Sequence, residues 1–188
     1  MNNYEYIISC LPVLDHGGSF DPEALVNEIR SQCSDLDNAL IDLLEDSFNP
    51  DKMDAGLYRR ALASSNTFIK EYLQWDLQVR NTKAEYLNRV LGRPEDADVI
   101  DLPGATDFDG KPAVEAVLSQ TDILEREKGL DSLMWEKAED LVRMRIFDLD
   151  VILSFIARLR ITDRWNKLDP QTGRTMFRRL VDEIRKTR

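Results

Sequence analysis

From Tyr58 onward, helix-spaced positions recur at alternating steps of three and four: Tyr58, Ala61, Ser65, Phe68, Tyr72, Trp75, Val79, Thr82 and Tyr86. That spacing places them on one face of a helix, and Leu62, Ile69 and Leu73 widen the face. The pattern predicts one long helix over 58–94, beginning near Gly56 and stopped by Gly92-Arg93-Pro94. Between Asp131 and Trp165 two stripes run side by side. Met134, Ala138, Leu141, Ile152, Phe155 and Leu159 make one, and Trp135, Val142, Ile146, Leu149 and Leu153 make the other. A helix apolar on two faces is expected at the centre of a bundle.

The remaining segments read more simply. Asp21 and Pro22 start a helix running to about Cys33, and Ser34 caps the next, whose Leu36, Leu43 and Leu44 supply an apolar face. Residues 113–120 and 122–129 are short helical pieces. Asp169 and Pro170 open a last helix with Phe177, Leu180, Val181 and Ile184 facing inward. Residues 3–11, rich in β-branched and aromatic side chains and stopped by Pro12, read as a short strand or extended arm. The expected fold class is mainly α: an elongated bundle of long helices, with a pattern of two repeated helical units and a short extended N-terminal segment. The 188 residues suit a single domain. It comprises an acidic N-terminal segment (1–57), a first long helix (58–94), a loop (92–112) and a second helical unit (113–188). The loop is long enough to be mobile or to contact a partner.

Two polar intrusions interrupt the apolar stripes. Asp76, between Trp75 and Leu77, is in register with Leu62 and Ile69. Arg145 and Asp148, the latter between Phe147 and Leu149, fall inside the first of the later stripes. Each aspartate follows a Gly-Leu pair, Gly56-Leu57 or Gly129-Leu130, by about the same distance, which is the mark of a duplicated helical unit. Asp76 with Arg80 and Asp148 with Arg145 have the spacing of helical ion pairs, and the expectation is that they hold helix register.

Charge adds a further pattern. The net charge is −10, yet it alternates: residues 1–57 carry −10, 58–94 carry +4, 95–142 carry −10 and 143–188 carry +6. Either acidic segments dock on basic ones within the fold, or each faces a charged partner. The acidity argues against nucleic acid. No apolar run approaches a membrane span, so direct membrane insertion is not expected, and the first residues lack the basic and apolar regions of a secretory signal. Cys10 and Cys33 have no metal-ligand spacing and read as two buried thiols in a reduced, cytoplasmic setting.

Catalytic chemistry finds little to work with. There is no phosphate-binding glycine loop, His-Glu-x-x-His, Cys-x-x-Cys or nucleophile elbow. The single histidine, His16, lies in a glycine-bearing loop without a defined partner, and alone it does not build the Glu-x-x-His pairs of a di-iron bundle. Residues 107–112 begin like a calcium loop, but Leu118 stands where the bidentate glutamate is needed. A protein that is not an enzyme and holds no cofactor or metal is expected.

The run FDLDVILSFIARLRITDRWNKLD (147–169), followed by Gly173, Phe177 and Leu180-Val181, resembles an uncharacterised bacterial family encoded in V-type ATPase operons. The opening YEYIISCLPVL is similar to that family's N-terminal pattern. More distantly, an aromatic-Asp-Leu element leading into a basic helix resembles the repeated unit of the V-type ATPase C subunit, called d in eukaryotes. Trp75, Asp76 and Leu77, then Phe147, Asp148 and Leu149, are the matching positions, and Arg164, Trp165, Asp169, Gly173 and Phe177 complete the likeness. The resemblance implies a non-catalytic subunit or assembly factor, joining central stalk and membrane ring and peripheral to the inner membrane through the complex. The runner-up is a general cytoplasmic helical adaptor. On the first reading, the acidic face of 1–57 would meet a partner.

Overall fold

Short polar side chains set where most of the helices begin. In the computed structural model, which describes residues 3–14, 20–102 and 108–167, Asn3 caps α1 (Tyr4–Cys10) and Asp21 caps α2 (Pro22–Ser31). Ser34 caps α3 (Asp35–Asp46) in a reciprocal capping box with Asp37. Asp54 caps α4 (Ala55–Leu62) and Asn66 caps α5 (Thr67–Leu91). After α6 (Lys111–Leu118), Asp122 caps α7 (Ile123–Asp140), and α8 spans Leu149–Lys167. Each cap contributes about 1 kcal/mol by satisfying amide groups that the helix leaves bare. The fold is a mainly α bundle, and no strand occurs among the described residues.

Helices α5 and α8 form its centre. Six successive residues of α8, Ile152 to Ala157, are buried, so neighbours must cover that helix on every side. It packs against α1, α2, α3, α5 and α7, while α5 packs against α3, α4, α6, α7 and α8. Phe68, Ile69, Tyr72 and Leu73 of α5 meet Ile152, Leu153, Ile156 and Leu159 of α8 in one core cluster. Tyr58, Leu77 and Leu102 form a smaller one.

Several sequence expectations need correction. The first segment is helical, not extended, because Tyr4, Ile7, Ile8 and Leu11 have helical spacing and pack on the core; that contact outweighs β propensity. The long helix over 58–94 is two helices. Ser64 and Ser65 part α4 from α5, where Asn66 accepts a hydrogen bond from the Ile69 amide at 2.8 Å. The double stripe over 131–165 likewise spans two helices, α7 and α8, that fold back on each other. The Ser154 hydroxyl of α8 donates to the Ala138 carbonyl of α7 at 2.7 Å. Ile146, placed in a stripe, lies exposed in the turn between them with Met144 and Phe147. Residues 122–129 are the start of α7, not a separate piece. Leu36 is 81% exposed, the inward face of α3 being Ile41 and Leu44. Cys10 is exposed and Cys33 half-buried.

The loop after α5 is strapped to that helix up to Leu102. Asn81 exchanges two hydrogen bonds with the Ile100 backbone, at 2.9 and 3.0 Å. Asn88 donates to the Ala97 carbonyl at 2.6 Å. Gly92, with φ +66°, closes α5 in the left-handed conformation. No helix among the described residues is long and apolar enough to cross a membrane. His16 and the last predicted helix, with Asp169, Gly173 and Phe177, lie outside the described residues.

The two Gly-Leu pairs occupy different local structures. Gly56 is in the first turn of α4, where a Cβ would approach only the Asp54 cap. Gly129 is inside α7, where a Cβ would come within 2.6 Å of Val117 on α6. Gly129→Leu is therefore expected to lower stability by about 1–3 kcal/mol through overpacking, despite the better helix propensity of leucine. Thermal denaturation of the variant checks this.

Candidate functional site

Tyr72, Asp76 and Arg80 follow one another at four-residue steps along one face of α5, so all three look the same way. Asp76 is 7% exposed. Its Oδ2 accepts from the Tyr58 hydroxyl of α4 and from Arg80 Nε, both at 2.7 Å. Burial and the Asp76 charge push the Tyr58 hydroxyl well above its usual range, so it remains a donor. Burial works against the Arg80 cation, but Asp76 outweighs it and raises the guanidinium further. The expected Asp76–Arg80 pair is present, and Tyr58 is a third member that apolar spacing had assigned to the stripe.

The second predicted pair takes a different form. Arg145 and Asp148 approach to 3.1 Å, both side chains about two-fifths exposed, in the turn before α8. The buried carboxylate there is Asp150, 5% exposed. It accepts from Asn66 Nδ2 at 2.6 Å and lies 3.2 Å from Arg145. Asn66 thus caps α5 while holding the start of α8. The match of Phe147-Asp148-Leu149 to Trp75-Asp76-Leu77 pointed to Asp148, but helical register brings Asp150 to the core. Among the matched positions, Leu77 and Leu149 are core residues and Phe147 is exposed. Trp75 is half-buried, meeting Phe108 edge-on at 4.8 Å with Lys137 Nζ 4.8 Å from its ring centre.

Two further clusters join helices far apart in sequence. Arg160 of α8, its side chain 11% exposed, grips both Glu45 oxygens from Nε at 2.9 and 3.0 Å and reaches Glu23 at 2.6 Å. It ties α8 to α3 and α2. One turn further along α8, Arg164 meets Glu127 of α7 at 2.8 Å, and Lys83 reaches the same glutamate at 2.6 Å. Asp131 accepts from Arg164 at 3.0 Å and from the Trp165 indole N–H at 2.8 Å. The role of Arg160 had no sequence signal beyond its place in a basic run, because its partners lie more than 100 residues away. Arg164 and Trp165, matched by resemblance alone, are brought together on Asp131.

Among the described residues, part of the charge alternation is taken up inside the fold. Acidic residues of 1–57 pair with basic ones of 58–94 and 143–188: Asp46 with Arg60, and Glu23 and Glu45 with Arg160. Those of 95–142 do likewise through Glu115–Arg89, Glu127–Lys83 and Glu139–Arg158. Glu23, Glu45 and Asp46, expected on an acidic partner-facing surface, are engaged internally.

These clusters border a groove of about 810 Å³. Glu45, Tyr72, Asp76, Asp131, Arg160 and Arg164 contribute to its wall. The Tyr72 hydroxyl there is buried and has no hydrogen-bond partner among the described residues. No group of three or more His, Cys, Asp or Glu side chains suited to a metal ion occurs among the described residues.

Residues 107–188 match the family described as Protein of unknown function (DUF2764). The matched stretch takes in α6, α7, α8 and the turn bearing Arg145 and Asp148, and it leaves out α1 to α5. No curated protein and no solved structure matches the chain.

The two aspartates first picked out should separate on mutation. Asp76→Asn strips a buried pair of its anion; because Arg80 is 43% exposed, the expected loss is about 1–3 kcal/mol, below the full cost of breaking an enclosed pair. Asp148→Asn should cost about 0–1 kcal/mol, as for exposed pairs. Urea melts of both variants test the contrast.

The α7 flank also predicts a pH signature. Burial raises Glu127, but Lys83 and Arg164 overcome this and leave its pKa below the ordinary value of 4.5. Its contribution is therefore present above pH 4.5 and lost as pH falls through the lower folded-state value. Glu127→Gln should be less stable than wild type at neutral pH, with the gap closing in acid. Melting curves across pH 3–7 will show that convergence if this pairing is correct, the scan being set about the ordinary carboxylate range.

Proposed function

We propose that this chain is a non-catalytic helical subunit or assembly factor of a bacterial V-type ATPase. In the finer form of this reading, it is a central-stalk coupling of the C (d) kind between shaft and membrane ring. The sequence resemblance over 147–181 supports the assignment, and that stretch lies inside the matched residues 107–188. The structural observation that carries it is how exposed apolar side chains are distributed.

Met144, Ile146 and Phe147 project from the turn after α7, Met144 being 91% exposed. Ile123 and Leu124 are exposed at the other end of α7. Beside them is the end of α5 with exposed Leu87, Val90 and Leu91, held near by the Lys83–Glu127 and Arg89–Glu115 pairs. The 18 residues of α7 separate the two apolar patches by about 27 Å. Between them the flanks are laced with ion pairs. Eight of the eleven large exposed apolar side chains among the described residues lie in these two patches, the others being Tyr6, Val13 and Leu36, and a body apolar mainly at its ends suits a coupling that meets one partner at each end. Buried Asp76 and Asp150 would serve such a part by fixing how its helices sit, not by reacting. The setting on this reading is cytoplasmic, peripheral to the inner membrane through the complex.

Affinity capture from detergent-solubilised native membranes tests the reading. Central-stalk and membrane-ring subunits should co-purify in fixed ratio with the wild-type chain. They should be lost with a Met144→Ser, Ile146→Ser, Phe147→Ser triple variant whose melting temperature is unchanged. Capture of soluble ATPase subunits alone would favour the assembly factor. Capture of no ATPase subunit, from membranes in which the complex is intact, would leave the general helical adaptor.

A further inference from the structure

The groove beside α5 has two features that bundle packing alone does not explain. The first is Tyr72. Its side chain is 1% exposed, it lines the groove, and its hydroxyl has no partner among the described residues. A buried hydroxyl left without a hydrogen bond costs about 1–3 kcal/mol, a cost that phenylalanine would avoid. Burial and the charges of Asp76 and Asp131 keep that hydroxyl protonated. It therefore offers one hydrogen and two lone pairs.

The second is Asp131, across the groove on α7. Burial pushes its carboxyl above the usual range, despite the opposing pull of Arg164 and the Trp165 N–H. Each of its oxygens accepts one hydrogen bond, Oδ1 from Arg164 and Oδ2 from Trp165, and a carboxylate has about four acceptor sites.

The groove's cations, by contrast, are all engaged among the described residues. Lys52 is held by Asp46, Arg80 by Asp76, Arg160 by Glu23 and Glu45, Arg164 by Glu127 and Asp131, and Lys167 by Asp163. An anion entering the groove would meet cations already paired. A group with positive charge and N–H donors would meet a carboxylate with acceptor sites to spare and a phenol oxygen without a partner among the described residues.

We propose that this groove is a binding site for an organic cation with N–H donors, an alkylammonium or guanidinium group, held by Asp131 and Tyr72. The guest donates one N–H to Asp131 and another to the Tyr72 oxygen, and the groove's volume suits a small ligand or an extended side chain. Two sources share this chemistry: a free polyamine, and a lysine or arginine side chain of another protein. The inference stands apart from the ATPase reading and does not depend on it.

Titration calorimetry on the full chain tests it with four probes at matched ionic strength: spermidine, Nα-acetyl-arginine amide, tetramethylammonium and inorganic phosphate. Spermidine and the arginine amide should bind, whereas tetramethylammonium, a cation without N–H donors, and phosphate should not. Tyr72→Phe should weaken the binding by roughly ten- to a hundredfold, the loss of one hydrogen bond to a charged group. Its melting temperature without ligand should be unchanged or higher, which separates a lost contact from a damaged fold. Asp131→Asn should weaken binding further. Tighter binding of spermidine identifies a free polyamine as the source, and tighter binding of the arginine amide identifies a partner's side chain. Failure of both donor-bearing cations to bind would overturn the proposal. So would equal binding by tetramethylammonium, or equal affinity in wild type and Tyr72→Phe.

Discussion

Enclosure of α8 is the constraint on which the rest of the bundle depends. A helix buried over six consecutive residues, Ile152 to Ala157, has no face left for water. Burial of each large aliphatic or aromatic side chain there contributes about 1.5–3 kcal/mol, but only if neighbours close on all sides. Helices α1, α2 and α3 cover one flank, and α5 and α7 cover others. The short first helix is part of that enclosure, since Ile7 is buried in the same core cluster. This explains why a segment with strand-like composition is helical.

Polar contacts then decide how the covering helices are seated. Apolar burial is non-directional and would tolerate sliding of one helix along another. Arg160 removes that freedom for α2 and α3 by holding Glu23 and Glu45 together. Asn66 does the same between α5 and α8, through its cap and its bond to Asp150. Exposed ion pairs stabilise little, about 0–1 kcal/mol each. Their contribution here is to register, and the alternation of acidic and basic segments along the chain is its sequence counterpart.

The same economy of polar groups gives meaning to what is left over. When so many carboxylates and cations are paired between helices, a buried Tyr72 hydroxyl with no partner among the described residues stands out on a groove that Asp131 also lines. Most of the large apolar side chains that the core does not use gather towards the two ends of α7, with Tyr6, Val13 and Leu36 exposed elsewhere. The parts of the described surface that internal packing does not use are thus of two kinds, apolar ends and a polar groove, with the packed interior between them.

Local chemistry was legible along the chain. Helical spacing identified the class of fold, the face of α5 and the apolar character of α8. Asp21, Ser34 and Gly92 marked helix boundaries, since capping depends on residues within a few positions. The Asp76–Arg80 pair was visible for the same reason, both residues lying on one helix. Charge alternation left open whether distant segments pair with each other or with partners, and ion pairs such as Glu45–Arg160 and Glu127–Lys83 are of the first kind. Tertiary structure alone decided where stripes that looked continuous break, at 63–66 and 141–148, because helices that fold back to bury a shared face preserve much the same spacing as one that runs on. It also decided that Asp150 and not Asp148 is buried, and that Arg160 binds Glu23 and Glu45. It brought Tyr72 and Asp131 to one groove. Periodicity records which residues prefer to leave water; which of them meet depends on how whole helices cross, and that is settled by packing across the entire chain.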